Sequence, residues 1–323
     1  MFGISYASWK EICEMYFHIS QNALKAYLQW FPFSKLSERD RNIIEGKKFF
    51  DTYIRSGGFV LFPDIMRYSE NYIQKGDGSF RNSTLVSPLL FLIIQAIGKE
   101  IFNCYSAGRA KDIEVYYAGN YADSRAKYRQ DYDEFCKSIK IEGKKYDYFI
   151  KTDITNFFGN INVNELVERI NQVCNTTGQK ISQTQLLLIK ELLLFCGNGY
   201  YPVIENSMAS SYLATVVYLD EIDQELYHFL QKKIVGLAGF RMIRYVDDLY
   251  ILFSSEKNVD ALYKIYNIIE REYSSILKKY GLSLNTSKCT FKRCTEINDS
   301  LKTALYDEYA NGNIHDLEDL FEG

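Results

Sequence analysis

Three aspartates stand out as groups able to hold an ion or drive a reaction. Two are adjacent, Asp247 and Asp248, within Arg244-Tyr245-Val246-Asp247-Asp248-Leu249-Tyr250-Ile251-Leu252-Phe253. Strand formers flank them on both sides, as in a hairpin that turns at the acids. An Asp pair at a turn has an ordinary explanation, because Asp tolerates turn dihedrals and solvent. Yet no Gly or Asn stands beside these two. Like charges held together repel unless a cation neutralises them, and carboxylate oxygens suit Mg²⁺. The third acid, Asp153, ends Tyr146-Asp147-Tyr148-Phe149-Ile150-Lys151-Thr152-Asp153, which reads as a strand. A helix N-cap is its plain alternative. Three acids on adjacent strand ends would hold two Mg²⁺ ions roughly 3.5–4 Å apart, the arrangement for in-line phosphoryl transfer.

The elements that must carry these acids read as mixed helix and strand, an α+β chain. Residues 1–60 look helical, with Ile12, Met15, Tyr16 and Ile19 at helical spacing. Residues 76–83 form a turn-rich polar loop before the apolar run Leu85–Ile101. Val115–Lys145 is polar and aromatic, and 163–197 reads as helices. Arg241–Phe253 reads as two short strands, Asn258–Tyr280 as a long amphipathic helix, and Leu282–Phe291 as a final strand.

Composition narrows the class. At 47% hydrophobic and 15% aromatic over 323 residues, the chain is not disordered. Only 4 prolines and 19 glycines exclude fibrous and low-complexity classes. Lys10, Glu11 and Glu14 interrupt any signal-peptide pattern. The longest uncharged apolar run, Ser87–Gly98, is too short to span a bilayer, so no membrane is expected. Seven cysteines without a CxxC pair suggest a reduced, cytoplasmic protein.

The motifs resemble those of reverse transcriptases. Asp153-Ile154-Thr155-Asn156-Phe157-Phe158 resembles their first palm motif, and Tyr245-Val246-Asp247-Asp248 their Y-x-D-D box. Lys279-Tyr280-Gly281-Leu282-Ser283-Leu284-Asn285-Thr286-Ser287-Lys288 is similar to G-L-x-L-N-x-x-K. The resemblance implies a right-hand polymerase of fingers and palm, with an antiparallel palm sheet flanked by helices. It implies Asp153, Asp247 and Asp248 as catalytic ligands of two Mg²⁺ ions, with Mn²⁺ as an alternative. Ile154, Phe158, Ser210, Lys288, Arg81 and Lys75 would meet the incoming dNTP, with the Phe158 ring beneath its sugar and excluding a 2′-hydroxyl. Arg125, Arg129 and Tyr245 would meet DNA or RNA.

The chain also departs from the family. Asn206-Ser207-Met208-Ala209-Ser210 resembles the second palm motif, but its P-Q-G is missing and Asn206 stands where glycine is expected. Only 35 residues follow Lys288, fewer than a helical thumb of two to three helices needs. The boundaries expected are a helical N-terminal region 1–74, fingers 75–147, palm 148–292 and an acidic tail 293–323. With no complete thumb evident, an oligomer or partner subunit would replace it. Retron enzymes are similar in length, but their N-A-x-x-H and V-T-G segments are absent. The pattern most resembles bacterial abortive-infection and defence-associated reverse transcriptases, which implies anti-phage defence and a structured non-coding RNA as partner. Two alternatives stand: a retron-type enzyme copying a cognate non-coding RNA, and a non-enzymatic scaffold that binds RNA or protein.

The net charge of −3 weighs against a nucleic-acid binder. Without the six acids of 303–323, however, it becomes +3, and Lys137, Lys140, Lys144, Lys145 and Lys151 precede the first acid. A mildly basic body with an acidic end suggests weak backbone affinity for the chain alone.

Overall fold

Apolar residues at helical spacing shape the first part of the chain. α1 (Tyr6–Phe17) begins at Ser5, whose side chain accepts from the Ser8 N–H, and buries Trp9, Ile12, Tyr16 and Phe17. α2 (Gln21–Ala26), α3 (Glu38–Glu45) and α4 (Lys47–Phe49) follow, and α4 runs into a π-helical turn at Phe50–Arg55. The computed structural model describes residues 2–74, 80–105, 107–176, 181–232 and 236–302. β1 (Tyr68–Gln74) pairs antiparallel with β2 (Phe80–Val86). Residues 80–83, read as loop from their polar content, are therefore strand, and the helical region 1–74 closes in a strand as well.

α5 (Pro88–Cys104) is apolar on every side and buried continuously from Leu90 to Lys99. Such a helix needs cover all round. α1 packs on one side, and the helix that carries Ala209 packs on another. Gly98 permits that approach: a Cβ there would lie 2.7 Å from the Ala209 Cβ.

The central sheet is built from β3 (Ile113–Tyr116), β4 (Tyr148–Thr152), β5 (Gly239–Tyr245), β6 (Asp248–Ser254) and β7 (Thr290–Arg293), in the order β3-β5-β6-β4-β7. It is mixed rather than wholly antiparallel, because β3 runs parallel to β5. A long crossover separates those two strands, which lets them run the same way. α6 (Arg129–Glu142), α7 (Val163–Thr176), α8 (Gln183–Cys196), α9 (Met208–Tyr212), α10 (Asp220–Leu230) and α11 (Val259–Lys279) surround the sheet, with a π-helical turn at Leu213–Tyr218.

Alternation along the strands divides the core in two. Ile150, Met242, Leu249, Ile251 and Phe253 face the main core, with Leu226 of α10 and Ile269 of α11. Phe149, Ile243, Tyr250 and Leu252 face a smaller one, closed by Phe135 and Ile139 of α6 and by Ile297 and Leu301. Residues 293–302, expected to open the tail, are thus partly core; 303–323 lie outside the described residues. Beyond α11, a 3₁₀ turn at Thr286–Lys288 interrupts the strand expected over 282–291, leaving β7 as its regular part. Among the described residues no helix is long and apolar enough to cross a membrane.

Candidate active site

Strand register brings the acids together. β4 pairs with β6 so that Lys151 faces Tyr250 and Thr152 faces Leu249. Continued by one residue, that register sets Asp153 opposite Asp248. β5 and β6 form a hairpin closed by the Tyr245–Asp248 pair, with Val246 and Asp247 at its turn. Directly opposed like charges destabilise a sheet. Here the balancing groups are cations and an amide. Lys151 Nζ lies 3.2 Å from Asp248 Oδ1, Lys288 Nζ lies 3.6 Å from Asp153 Oδ1, and Asn285 Nδ2 donates to Asp153 Oδ2 at 2.8 Å.

The electrostatics record the crowding. Burial, then Asp248 and Asp153, push the Asp247 carboxyl up to about 7. Asp248 is raised by burial and by Asp153, against Lys151 and Lys288, which pull it down. Burial lowers the Lys151 ammonium, yet Asp248 beside it leaves it above its ordinary value. Among the described residues no three acidic, His or Cys side chains are gathered around one point close enough to hold a metal. The donor set nevertheless fits a hard divalent cation: its ligands are all oxygen, and its charge is in excess.

The strand-to-loop path after β4 explains the rest of the first motif. Ile154 is buried and bridges Leu284, and the Asp153 carbonyl accepts from the Asn285 N–H at 2.8 Å. α11 ends in a Schellman motif, with the Leu282 N–H on the Leu277 carbonyl and Gly281 at φ +70. That stop swings Asn285 and Lys288 back onto β4. Of the two adjacent rings, Phe157 is buried and Phe158 half-exposed, lying parallel to Tyr201 with centroids 6.4 Å apart. The Tyr201 hydroxyl donates to the Ser210 carbonyl at 2.5 Å, so Phe158, Tyr201 and Ser210 are contiguous. The Ser210 Oγ itself is buried without a hydrogen-bond partner.

The second-motif loop is fastened to both halves of the molecule. Asn206 has φ 50, the left-handed region that glycine would enter freely. Its carbonyl accepts from Trp30 Nε1 at 3.3 Å. Ser207 caps α9, and the buried Gln95 of α5 donates to the Ser207 hydroxyl at 2.7 Å and accepts from the Ala209 N–H at 3.0 Å. The Thr84 N–H on β2 donates to the Val203 carbonyl at 2.8 Å, and the Glu205 N–H returns a bond to the Thr84 carbonyl at 3.1 Å. The Ser83 hydroxyl adds a third link, to Glu205, at 2.8 Å.

Residues 73–302 match the family model described as reverse transcriptase (RNA-dependent DNA polymerase). The chain belongs to this family. No relative among curated proteins matches it. Solved structures it is similar to include telomerase from Candida albicans in complex with the TWJ fragment of telomeric RNA, at 12% identity and a TM-score of 0.42 over 76% of this chain and 47% of that one. Apo telomerase from Candida tropicalis, truncated from its C-terminal domain, gives 16% identity and a TM-score of 0.44 over 76% and 54%. The chain spans about half the length of these two structures.

The remaining candidate positions are spread over β2, β5 and the segment that enters α6. Arg81 lies on β2 opposite Ile73, and Lys75 lies outside the described residues. Arg125 points its two terminal nitrogens at Asp123, Asp131 and Glu134, at 3.2, 2.7 and 2.9 Å, while its Nε is buried without a hydrogen-bond partner. Arg129 is exposed at the start of α6. The Tyr245 ring packs on Tyr132 and Phe135 and is partly exposed.

Sequence reasoning passed over Asn285 and Lys151 as site residues. Lys151 counts only toward the basic charge before the first acid in the sequence, although it stands two residues before Asp153 and must share its face. It also passed over the buried pair of Asp223 and Arg244, both fully enclosed. An arginine between the apolar Ile243 and Tyr245, directly before the paired acids, was the available signal.

Proposed function

We propose that this reverse transcriptase is a divalent-metal-dependent nucleotidyltransferase that extends a 3′ end with dNTPs, as an RNA-directed or untemplated DNA polymerase. The observation that carries the reading is the register setting Asp153 beside Asp247 and Asp248, with Lys151, Asn285 and Lys288 around them. The three acids would hold the divalent ions, Mg²⁺ first and Mn²⁺ as the alternative. When bound, these ions supply the charge that activates the attacking hydroxyl and stabilises the leaving pyrophosphate. Lys288, exposed and within reach of Asp153, is suited to meet a triphosphate from the same side. Phe158, backed by Tyr201, would lie against the sugar and disfavour a 2′-hydroxyl. Ile154 and Ser210 would line the nucleotide, and Arg81 and Lys75 would meet its phosphates. Arg125, Arg129 at the start of α6 and Tyr245 would meet the nucleic acid.

The finer assignments rest on the motif departures. Asn206 in place of the second-motif glycine supports a grouping with defence-associated enzymes, and hence an anti-phage role with a structured RNA as partner. The test is Mg²⁺-dependent dNTP incorporation on a primed RNA template, alongside sequencing of nucleic acid that co-purifies with the protein. Activity should fall at least about a thousandfold in Asp247→Ala, as when a group made only for the transition state is removed. Full activity in that variant would sink the reading. Random co-purified RNA would sink the cognate partner alone.

A further inference from the structure

One buried cluster has no task in the chemistry above. Arg244, directly before the Tyr245–Asp248 turn, has no exposed surface, a costly place for a guanidinium unless every donor is used. Its Nη2 donates to Asp223 Oδ1 at 2.7 Å and to the Tyr273 hydroxyl of α11 at 2.9 Å, and its Nε to Asp223 Oδ1 at 3.0 Å. Its Nη1 donates to the Val246 carbonyl at 3.2 Å. Arg109 holds the far side of the same carboxylate, with Nη2 3.0 Å from Asp223 Oδ2. It also donates to the carbonyls of Thr215 and Val216 in the π-helical turn, at 3.0 and 2.7 Å. The residue gripped at the other end is unusual. Val246 has φ 52, a left-handed conformation that β-branched side chains avoid, and it immediately precedes Asp247.

We infer that Arg244 is a positioning residue of the active site: it holds the Val246 peptide in its left-handed turn and so aims Asp247 and Asp248, while Asp223 and Tyr273 hold Arg244. The activity consequence rests on the polymerase reading; the conformational one does not. The chain of contacts ties the hairpin to α10, to α11 and, through Arg109, to the turn that follows the second palm motif.

The test is a cycle of Arg244→Lys and Val246→Gly in the full chain. Lysine keeps the charge beside Asp223 but lacks the fork that also reaches Val246. Glycine accepts the left-handed turn without a grip. Arg244→Lys should lower kcat for dNTP incorporation about 10- to 100-fold, with the dNTP KM within about threefold, as expected of misaimed ligands. It should speed hydrogen–deuterium exchange across residues 245–248 by about tenfold, with β4 unchanged. In the Val246→Gly background both effects should shrink to less than about a third, as coupled sites require. Unchanged kcat and exchange in folded Arg244→Lys would overturn the proposal, and so would equal losses in both backgrounds. If Arg244→Lys does not fold, Tyr273→Phe, which removes one hold on the guanidinium, carries the same cycle with smaller effects in the same directions. Exchange is read whether or not the protein polymerises. An inactive wild type therefore overturns the polymerase reading, and the grip is judged by exchange.

Discussion

Two loops bend into the same left-handed region with opposite residue choices. Asn206, in the second-motif loop, has φ 50, and Val246, in the catalytic turn, has φ 52. Asparagine enters that region readily, because its short amide bonds locally. Its loop is held by ordinary backbone bonds to Thr84 and by the Trp30 indole. Valine has no such tolerance, and its turn is held by a buried ion network instead. A family position that needs only a bend is satisfied by any residue that tolerates the bend. A position between a tyrosine and two paired acids keeps its strain, and the surrounding fold must offset it.

The largest expected contrast is in stability. Arg244→Met leaves the Asp223 carboxylate buried beside a thioether, with Arg109 its remaining partner, and should cost about 3–5 kcal/mol in urea denaturation. A loss under about 1 kcal/mol would mean that the catalytic turn needs no special hold, which erases the contrast.

Next comes charge, which crowds the catalytic turn and not the other loop. The Asp247 carboxyl is raised from the usual 3.8 to about 7, so the native state retains a proton that the unfolded chain has released. Its contribution is therefore full below the unfolded value and is lost as pH rises through about 7. In EDTA, wild type should lose on the order of 2 kcal/mol between pH 5 and 8 relative to Asp247→Asn. Added Mg²⁺ should restore that loss. A pH-independent difference would remove crowding as the turn's defining property.

Smaller effects separate the loops by size. Asn206→Val should destabilise by about 1–2 kcal/mol, the usual cost of a left-handed non-glycine residue. Val246 is buried in the main core, yet Val246→Gly should cost only about 1 kcal/mol or less, because relieved strain offsets most of the lost side-chain burial. A loss of about 2 kcal/mol or more in chemical denaturation, the full value of a buried valine, would show that this turn stores no strain. Smallest of all, Lys288→Ala should shift stability by less than about 0.5 kcal/mol, since an exposed ion pair contributes little. Its dNTP KM should nevertheless rise severalfold, and an unchanged KM would remove Lys288 from the nucleotide.

The acids were legible because continuous runs of aromatic and aliphatic residues announce β4 and β6, and because aspartates break those runs at the strand ends. The partition of Phe157 from Phe158 followed from the same adjacency. The parallel entry of β3 was not legible, since its pairing with β5 spans more than a hundred residues and leaves no local trace. Nor was the β1–β2 hairpin, whose Asn, Ser and Thr content suits a turn as well as a strand. The ion pairs of Arg125 were not legible, because arginine and tyrosine alternate around it as on a nucleic-acid surface. Asp123, Asp131 and Glu134, all within nine residues, were the competing signal. The buried role of Arg244 was not legible either, because a charged residue in a strand ordinarily faces water.

The bonds between Thr84 and the loop at Val203 and Glu205 have a mechanical consequence. β1 and β2 are each seven residues long, an arm of about 23 Å. Thr84 sits near its base, so the arm and the loop share one pivot. A load at the tip is delivered as torque on Asn206 and the start of α9, magnified by the length of the arm, unless the backbone bonds at the pivot break first.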